Sequence, residues 1–306
     1  MTSASATRDC PVCGQSDADA FLQKGDLYLV RCRQCAMIYA NPVPAEFASG
    51  QYYDQAGADY YLSPAKLESD YAPVRFQREL RLFRRHCTAG AVLDVGCSSG
   101  AFLFQLSQRC PGSYHILGTD VSGPPLDYAE KRGVPVLRGN FLEQDFGDRK
   151  FDAVTFWTVL EHLLAPADFF AKAASILHPR GLCFVLVPNM KSLAARLLGP
   201  RYRYLYPQHL NYFTRATLTR LVEPRFTVVE CRYTHFNPIV LWQDWRGGGR
   251  EVSNPERAQL LQRTTACKQN PLLLPLQALY AFAETALATL HLADNLALVL
   301  RKQQGN

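Results

Sequence analysis

One nine-residue stretch constrains this chain more than any other. Val92-Leu93-Asp94-Val95-Gly96-Cys97-Ser98-Ser99-Gly100 runs a short apolar strand into a turn of small residues, and Phe102, Leu103 and Leu106 carry it on as a helix. Small residues let a backbone bend tightly and approach a ligand closely. The N-terminus of the helix favours a negatively charged group beside it. Twenty residues beyond Gly100, Asp120 ends the next apolar run, His115 to Thr119. An acid at such a strand end can accept hydrogen bonds from both hydroxyls of a ribose. The turn alone is a weak signal, but the turn, the strand-end acid and the strand–helix–strand order together are a strong one.

The same alternation continues downstream. A helix is expected over 125–132, strands over 134–137 and 151–157, a helix over 167–177 and a fully apolar strand over 182–187. Further strand candidates lie at 226–232 and 295–301. Strands alternating with helices predict an α/β fold, a mostly parallel seven-stranded sheet covered by helices on both faces.

Ahead of this core stand two C-x2-C pairs, Cys10 with Cys13 and Cys32 with Cys35. Each pair turns two thiolates toward one point, and two pairs supply the corners of a tetrahedron. The intervening segment is long enough for a hairpin, with Phe21-Leu22 and 27–30 flanking Gly25-Asp26. The spacing predicts a zinc ribbon. With four sulfur ligands no position stays open for water, so the zinc is expected to be structural, a staple for the fold rather than a substrate contact. The other six of the ten cysteines are scattered. Residues 1–9 lack the apolar core of a signal peptide, so reduced thiols in a cytoplasmic protein are expected.

The core residues resemble the class I S-adenosylmethionine-dependent methyltransferases, whose first motif reads acid-x-Gly-x-Gly-x-Gly. Asp94, Gly96 and Gly100 match it, and Ser98 stands where the middle glycine would be. The run 117–122 looks like the second-strand motif, and 139–142 like the turn that contacts adenine, with Asn140 in place of the usual acid. The runs 151–162 and 177–181 look like the fourth-strand motif and the turn before strand five. The resemblance implies a Rossmann-like doubly wound sheet and S-adenosylmethionine as cofactor. It also implies a cofactor site at Asp94, Gly96, Ser98, Gly100, Asp120, Val121, Asn140, Phe141 and Trp157. The cysteines, Asn41-Pro42 and the run 207–214 further resemble a bacterial branch in which a zinc-binding segment precedes the methyltransferase domain. Nicotinamide dehydrogenases use Gly-x-Gly-x-x-Gly, a spacing this turn lacks.

On this reading residues 1–45 are the zinc ribbon, 46–89 a lead-in with an arginine-rich helix over 73–86 whose charged face is expected to be solvated, and 90–235 the cofactor-binding core. Residues 188–224 form an insertion on the acceptor side, and 236–306 are C-terminal helices and a last strand. Sites in open α/β sheets lie beyond the carboxyl ends of the strands. Two histidines fall there, His162 after strand four and His209 between strands five and six. Histidine titrates near neutrality, so each is a candidate general base, and His209 is the better one because Gln208, Asn211 and Tyr212 surround it. A purely structural role is the alternative for both, a packed helix start for His162 and a loop anchor for His209. Strand four is followed by Phe156-Trp157-Thr158 rather than an Asn-Pro-Pro-aromatic run, and no Pro-Cys dipeptide occurs. These absences argue against methylation of amide or adenine nitrogen and of cytosine C5.

Transfer to oxygen or carbon of a small-molecule acceptor is therefore expected, for example a nucleotide- or lipid-linked saccharide. Arg196, Arg201 and Arg203 interleave with Tyr202, Tyr204 and Tyr206, a pattern suited either to a phosphorylated acceptor or to a solvated loop. An RNA methyltransferase that grips its substrate with the zinc module is the main alternative, and a non-catalytic cofactor-binding protein the other. The net charge of +6 is a small basic excess for an RNA binder, so nucleic acid is not the expected partner. The leucine- and alanine-rich stretch 271–292 is broken by Pro275, Gln277 and Glu284, so a packed or amphipathic helix is expected, with peripheral membrane contact as the minority reading.

Overall fold

A computed structural model describes residues 5–44, 47, 52–53, 57–248 and 252–304. The expected boundary at 45/46 lies outside the described residues. The large sheet has seven strands, here β1 (Gly90–Val95), β2 (Tyr114–Asp120), β3 (Val136–Arg138), β4 (Phe151–Trp157), β5 (Leu177–Pro188), β6 (Phe226–Thr234) and β7 (Asn295–Lys302). Their spatial order is β6-β7-β5-β4-β1-β2-β3. β7 runs antiparallel between β5 and β6, and the other pairings are parallel.

Alternate residues of each strand enter different buried layers, as the two-residue period of a strand requires. Leu93, Val154, Val185 and Leu298 face one layer, with Phe170 and Ile176 from helix Pro166–Ile176 and Leu218 and Leu221 from helix Arg215–Val222. Val92, Ala153, Phe184 and Val299 face the other, with Leu80 and Phe83 from helix Gln77–His86 and Phe102 and Leu106 from helix Ala101–Arg109. Both faces of the sheet are thus covered, which explains why its strands read as continuous apolar runs. Each fully buried Leu or Phe contributes on the order of 2 kcal/mol.

The cysteine segment forms a second, antiparallel sheet of Ala18–Lys24, Leu27–Cys32 and Ile38–Ala40. Its fourth strand is Asn211–Tyr212, more than 170 residues downstream. A third apolar cluster joins Leu29, Ile38 and Val43 to Ala195, Leu198, Tyr202 and Leu210. The N-terminal hairpins and the chain between β5 and β6 therefore share one sheet and one core.

Three local expectations fail. The arginine-rich helix begins at Gln77 rather than at Pro73, because Phe76 takes a left-handed backbone (φ 57°) that ends the preceding turn. Nor is its arginine face merely solvated: Arg78 pairs with Glu284, and Arg85 and His86 with Glu230. Of the two readings of the stretch 271–292, a packed or an amphipathic helix, the packed one fails: helix Leu274–Thr289 buries only Glu284. Leu276, Leu279 and Phe282 stay exposed, because the inward face is polar, with Glu284 bound to Arg78 and the His235 backbone and Tyr280 to the Phe236 carbonyl. Pro271–Thr289 is long and apolar enough to cross a membrane by length and composition.

Candidate active site

The turn after β1 has a backbone set by three alternate residues. Gly96, Ser98 and Gly100 all have positive φ, 73°, 50° and 74°. A Cβ on Gly96 would sit 2.6 Å from the Val159 side chain, and one on Gly100 would sit 2.9 Å from that of Ala129. Ser98 takes the same left-handed conformation, which costs a non-glycine residue on the order of 1 kcal/mol. Its N–H donates to Asp120 Oδ2 at 2.8 Å, a charge-assisted bond that holds the loop against the end of β2. Ser122 N–H donates to the other carboxylate oxygen at 3.0 Å. These bonds orient the half-buried Asp120 at the carboxyl edge of the sheet, where a ribose would be gripped. A small-residue turn, a helix N-terminus and an oriented strand-end carboxylate are the donor set that an adenosyl cofactor requires.

Other residues expected at the cofactor are placed less directly. Asp94 is buried and accepts from Thr155 Oγ1 at 2.6 Å across β1 and β4, and burial pushes its carboxyl up to about 7. Val121 is exposed beside Asp120. The Asn140 side chain accepts from Leu142 N–H and donates to Glu143, so it caps its own turn. The Phe141 ring lies in the core against Phe146, Phe156 and Phe169. The Trp157 ring packs on Phe102 and Phe184 beneath the sheet edge, with its buried Nε1 left without a hydrogen-bond partner. Phe141 and Trp157 thus turn their side chains into the protein, and only their backbone lies along the edge.

The two histidines, 47 positions apart, come together edge to face with ring centroids 4.6 Å apart. The backbone laces their segments: Leu210 N–H donates to the Glu161 carbonyl at 2.7 Å, and the Asn211 amide to the carbonyls of Leu160 and Leu163. Arg8, from the cysteine segment, donates to the carbonyls of Ala40, Leu164 and Leu210 and ties the same loops to the small sheet. His209 Nδ1 lies 3.0 Å from the Tyr204 carbonyl, and His162 Nδ1 lies 3.0 Å from that of Gln208. A carbonyl only accepts, so each Nδ1 carries the proton and each Nε2 keeps its lone pair. Tyr53 Oη shares the His162 bond at 2.8 Å. Burial holds His162 down to about 4 and His209 well below the usual histidine range, so both rings are neutral at pH 7. Glu161 is buried beside them, its donor oxygen within 4.8 Å of theirs, and burial lifts its carboxyl to about 8.

The aromatic surroundings connect this pair to the cofactor side. Tyr53 meets His162, Tyr206 meets His209, and Arg257 lies over the rings of both Tyr206 and Tyr60, 4.6 Å from each centroid. The negative charge of Asp120 is felt by Tyr53 and Tyr61, whose hydroxyls burial already pushes up. Sequence reasoning passed over Tyr53, Glu161 and Arg257. Glu161 could have been noticed as an acid beside His162, whereas Arg257 carries no local signal. Of the three arginines suited either to a phosphorylated acceptor or to a solvated loop, Arg203 fits neither: it is buried, with Nε donating to Asp244 Oδ1 at 2.8 Å and Nη2 to Gln243. A surface cleft of about 590 Å3 lined by Lys191, Arg196, Arg215 and His291 holds none of the residues of either half of the site.

In the cysteine segment the four sulfurs all lie within 4.8 Å of one another, with Cys10–Cys35 at 3.4 Å and Cys13–Cys32 at 3.5 Å, and none forms a disulfide. A tetrahedron with zinc–sulfur bonds of ~2.3 Å has edges of ~3.8 Å, so the cluster fits the metal with small adjustment. Gly14 and Ala36, each one residue past a pair, both have positive φ, and each donates its N–H to the carbonyl of the first cysteine of its pair. The two turns are therefore matching knuckles.

Comparison with known proteins agrees with this geometry. A family described as "Methyltransferase domain" matches residues 70–229, just over half of the chain. A ubiquinone biosynthesis O-methyltransferase of Pasteurella multocida is 27% identical over 229 residues, 62% of this chain and 90% of the relative. The Burkholderia multivorans protein of the same name is 29% identical over 161 residues, 45% of this chain and 68% of that one. A probable tRNA methyltransferase 9B of Bos taurus is 29% identical over 144 residues, 47% of this chain and 29% of the relative. Among solved structures, a 1,6-didemethyltoxoflavin-N1-methyltransferase of Burkholderia thailandensis superposes with a TM-score of 0.52 at 16% identity, covering 94% of this chain and all of that one. This likeness is one of fold. Strand order, glycine turn, strand-end acid and family match agree: the chain belongs to the class I S-adenosylmethionine-dependent methyltransferases.

Proposed function

We propose that this methyltransferase acts on an oxygen or carbon of a small-molecule acceptor, with His209 as the proton-accepting base and His162 as its partner. The observation that carries this reading is the neutral histidine pair, ring centroids 4.6 Å apart, set among Tyr53, Tyr206 and Tyr212. S-adenosylmethionine supplies an electrophilic methyl group on a sulfonium. The chain's own work is to hold the acceptor in line, exclude water and remove a proton. The Tyr204 carbonyl fixes the His209 tautomer, so the Nε2 lone pair is free to take the proton of an acceptor hydroxyl as its oxygen bonds to the methyl carbon. The named activity of the ubiquinone-biosynthesis relatives supports an oxygen acceptor. A nucleotide- or lipid-linked saccharide is the finer form of this reading. The four-cysteine cluster is read as a structural zinc site that steadies the loop bearing His209.

The test is transfer of a labelled methyl group to a panel of phenols and sugar nucleotides. His209→Gln is expected to lower kcat by roughly 100-fold or more, the usual scale of a positioned base, while affinity for S-adenosylhomocysteine stays unchanged. Wild-type turnover in that variant would remove His209 from the chemistry.

A further inference from the structure

Arg257 is the unexplained charge of the site. It stands in the first turn of the sixteen-residue helix Asn254–Gln269, in a half-buried position, with its guanidinium carbon 4.6 Å from the ring centroids of both Tyr60 and Tyr206. Its only hydrogen bond among the described residues is a 3.3 Å contact from Nη1 to Asn254 Oδ1, and no described carboxylate lies within ion-pair distance. The groups that feel its charge are Tyr60, Tyr61, Tyr204, Tyr206, His162 and His209. None of them is a carboxylate. Arg203 and Arg78, by contrast, each spend their fork on a buried carboxylate. A cation in the first turn of a helix also opposes the helix dipole. Both the arginine and the helix end would be stabilised by an anion between them.

The geometry limits what that anion can be. The guanidinium packs against two aromatic rings, and its edge is a planar fork of N–H donors suited to two oxygens of one group. We propose that Arg257 receives an oxyanion carried by the acceptor, a carboxylate or a phosphate, and thereby decides which small molecules are methylated. The proposal rests on the methyl-transfer reading. It has a consequence for the base: the charge of Arg257 helps hold both histidines low, so an anion paired with it relieves that field and leaves His209 a better proton acceptor when the acceptor is bound.

The experiment uses the full chain saturated with S-adenosylhomocysteine, titrated calorimetrically with inorganic phosphate and, separately, with benzoate. Wild type is expected to bind one or both, and which one binds tells phosphate from carboxylate. Arg257→Gln should weaken that binding at least tenfold without changing affinity for S-adenosylhomocysteine. Arg257→Lys keeps the charge but loses the fork, and is expected to fall between the two; it serves as the readout should the glutamine variant lose its fold. Equal anion binding in wild type and both variants, or none in wild type, overturns the proposal. Absence of S-adenosylhomocysteine binding in wild type overturns instead the reading beneath it.

Discussion

The two halves of the active site are built in opposite ways. The cofactor half is local: Asp94, Gly96, Ser98, Gly100 and Asp120 fall within 27 residues, on two adjacent parallel strands and the turn between them. The proposed acceptor half gathers Tyr53, Tyr60, Glu161, His162, Tyr206, His209 and Arg257 from four separate stretches spanning some 200 residues. The first is held by backbone geometry and one carboxylate. The second is held by side chain-to-backbone bonds between loops, Arg8 and Asn211 foremost, and by a strand pairing with the cysteine segment. A site made of backbone tolerates change around it, whereas a site made of laced loops depends on every lace.

The comparison can be broken most forcefully at Asp120. Asp120→Ala removes the carboxylate that would grip the ribose and also braces the Ser98 loop. Hydrogen bonds to a charged group contribute about 1.5–3 kcal/mol each, so affinity for S-adenosylhomocysteine should fall at least about 100-fold by calorimetry. Unchanged affinity would mean that the cofactor half has been misassigned. Metal removal probes the other half. Stripping the four-cysteine site with a chelator, or replacing Cys10 and Cys32 by serine, should cost on the order of several kcal/mol of stability, read as a lower Tm. Turnover should be lost at chelator concentrations that still leave S-adenosylhomocysteine bound, because the small sheet braces the His209 loop and not the glycine turn. Simultaneous loss of both would show the halves to be one cooperative unit.

The smallest effect is a pH dependence. Glu161 keeps its proton up to about 8 in the folded chain against a reference value of 4.5, so between those values the folded state binds more protons than the unfolded one. Stability therefore declines as pH rises through that window, by about 1.4 kcal/mol per pH unit for one such group. Asp94 and Asp294 add the same sign of slope but only up to about 7. Denaturant melts should show Glu161→Gln losing roughly 1 kcal/mol less than wild type between pH 7 and 8. An identical slope in the two proteins would place Glu161 in contact with water rather than beside the histidines.

The sheet was largely legible before the structure. Its strands alternate with helices and are apolar throughout because both faces are buried, and a pattern of that kind survives in the bare letters. β7 could be seen as a strand, but its insertion between β5 and β6 could not, since strand order depends on distant pairings. The helix at 274–289 misled for a related reason. Its leucines suggest burial, yet the inward face is chosen by Glu284 and its bond to Arg78, a partner some 200 residues away. Arg203 misled in the same way, because its pairing with Asp244 leaves no mark on the run of arginines and tyrosines around it.

The letters alone determined what short-range geometry dictates: a turn that needs small residues, an acid at a strand end, four sulfurs at tetrahedral spacing. These depend on neighbours within a few bonds or one strand crossing, so spacing encodes them. Tertiary structure alone decided which charges are neutralised and which are left over. Arg78 and Arg203 found carboxylates and Arg257 found none among the described residues, and the electrostatics of a buried group depend on what the fold brings within a few ångströms of it, whatever its place in the chain.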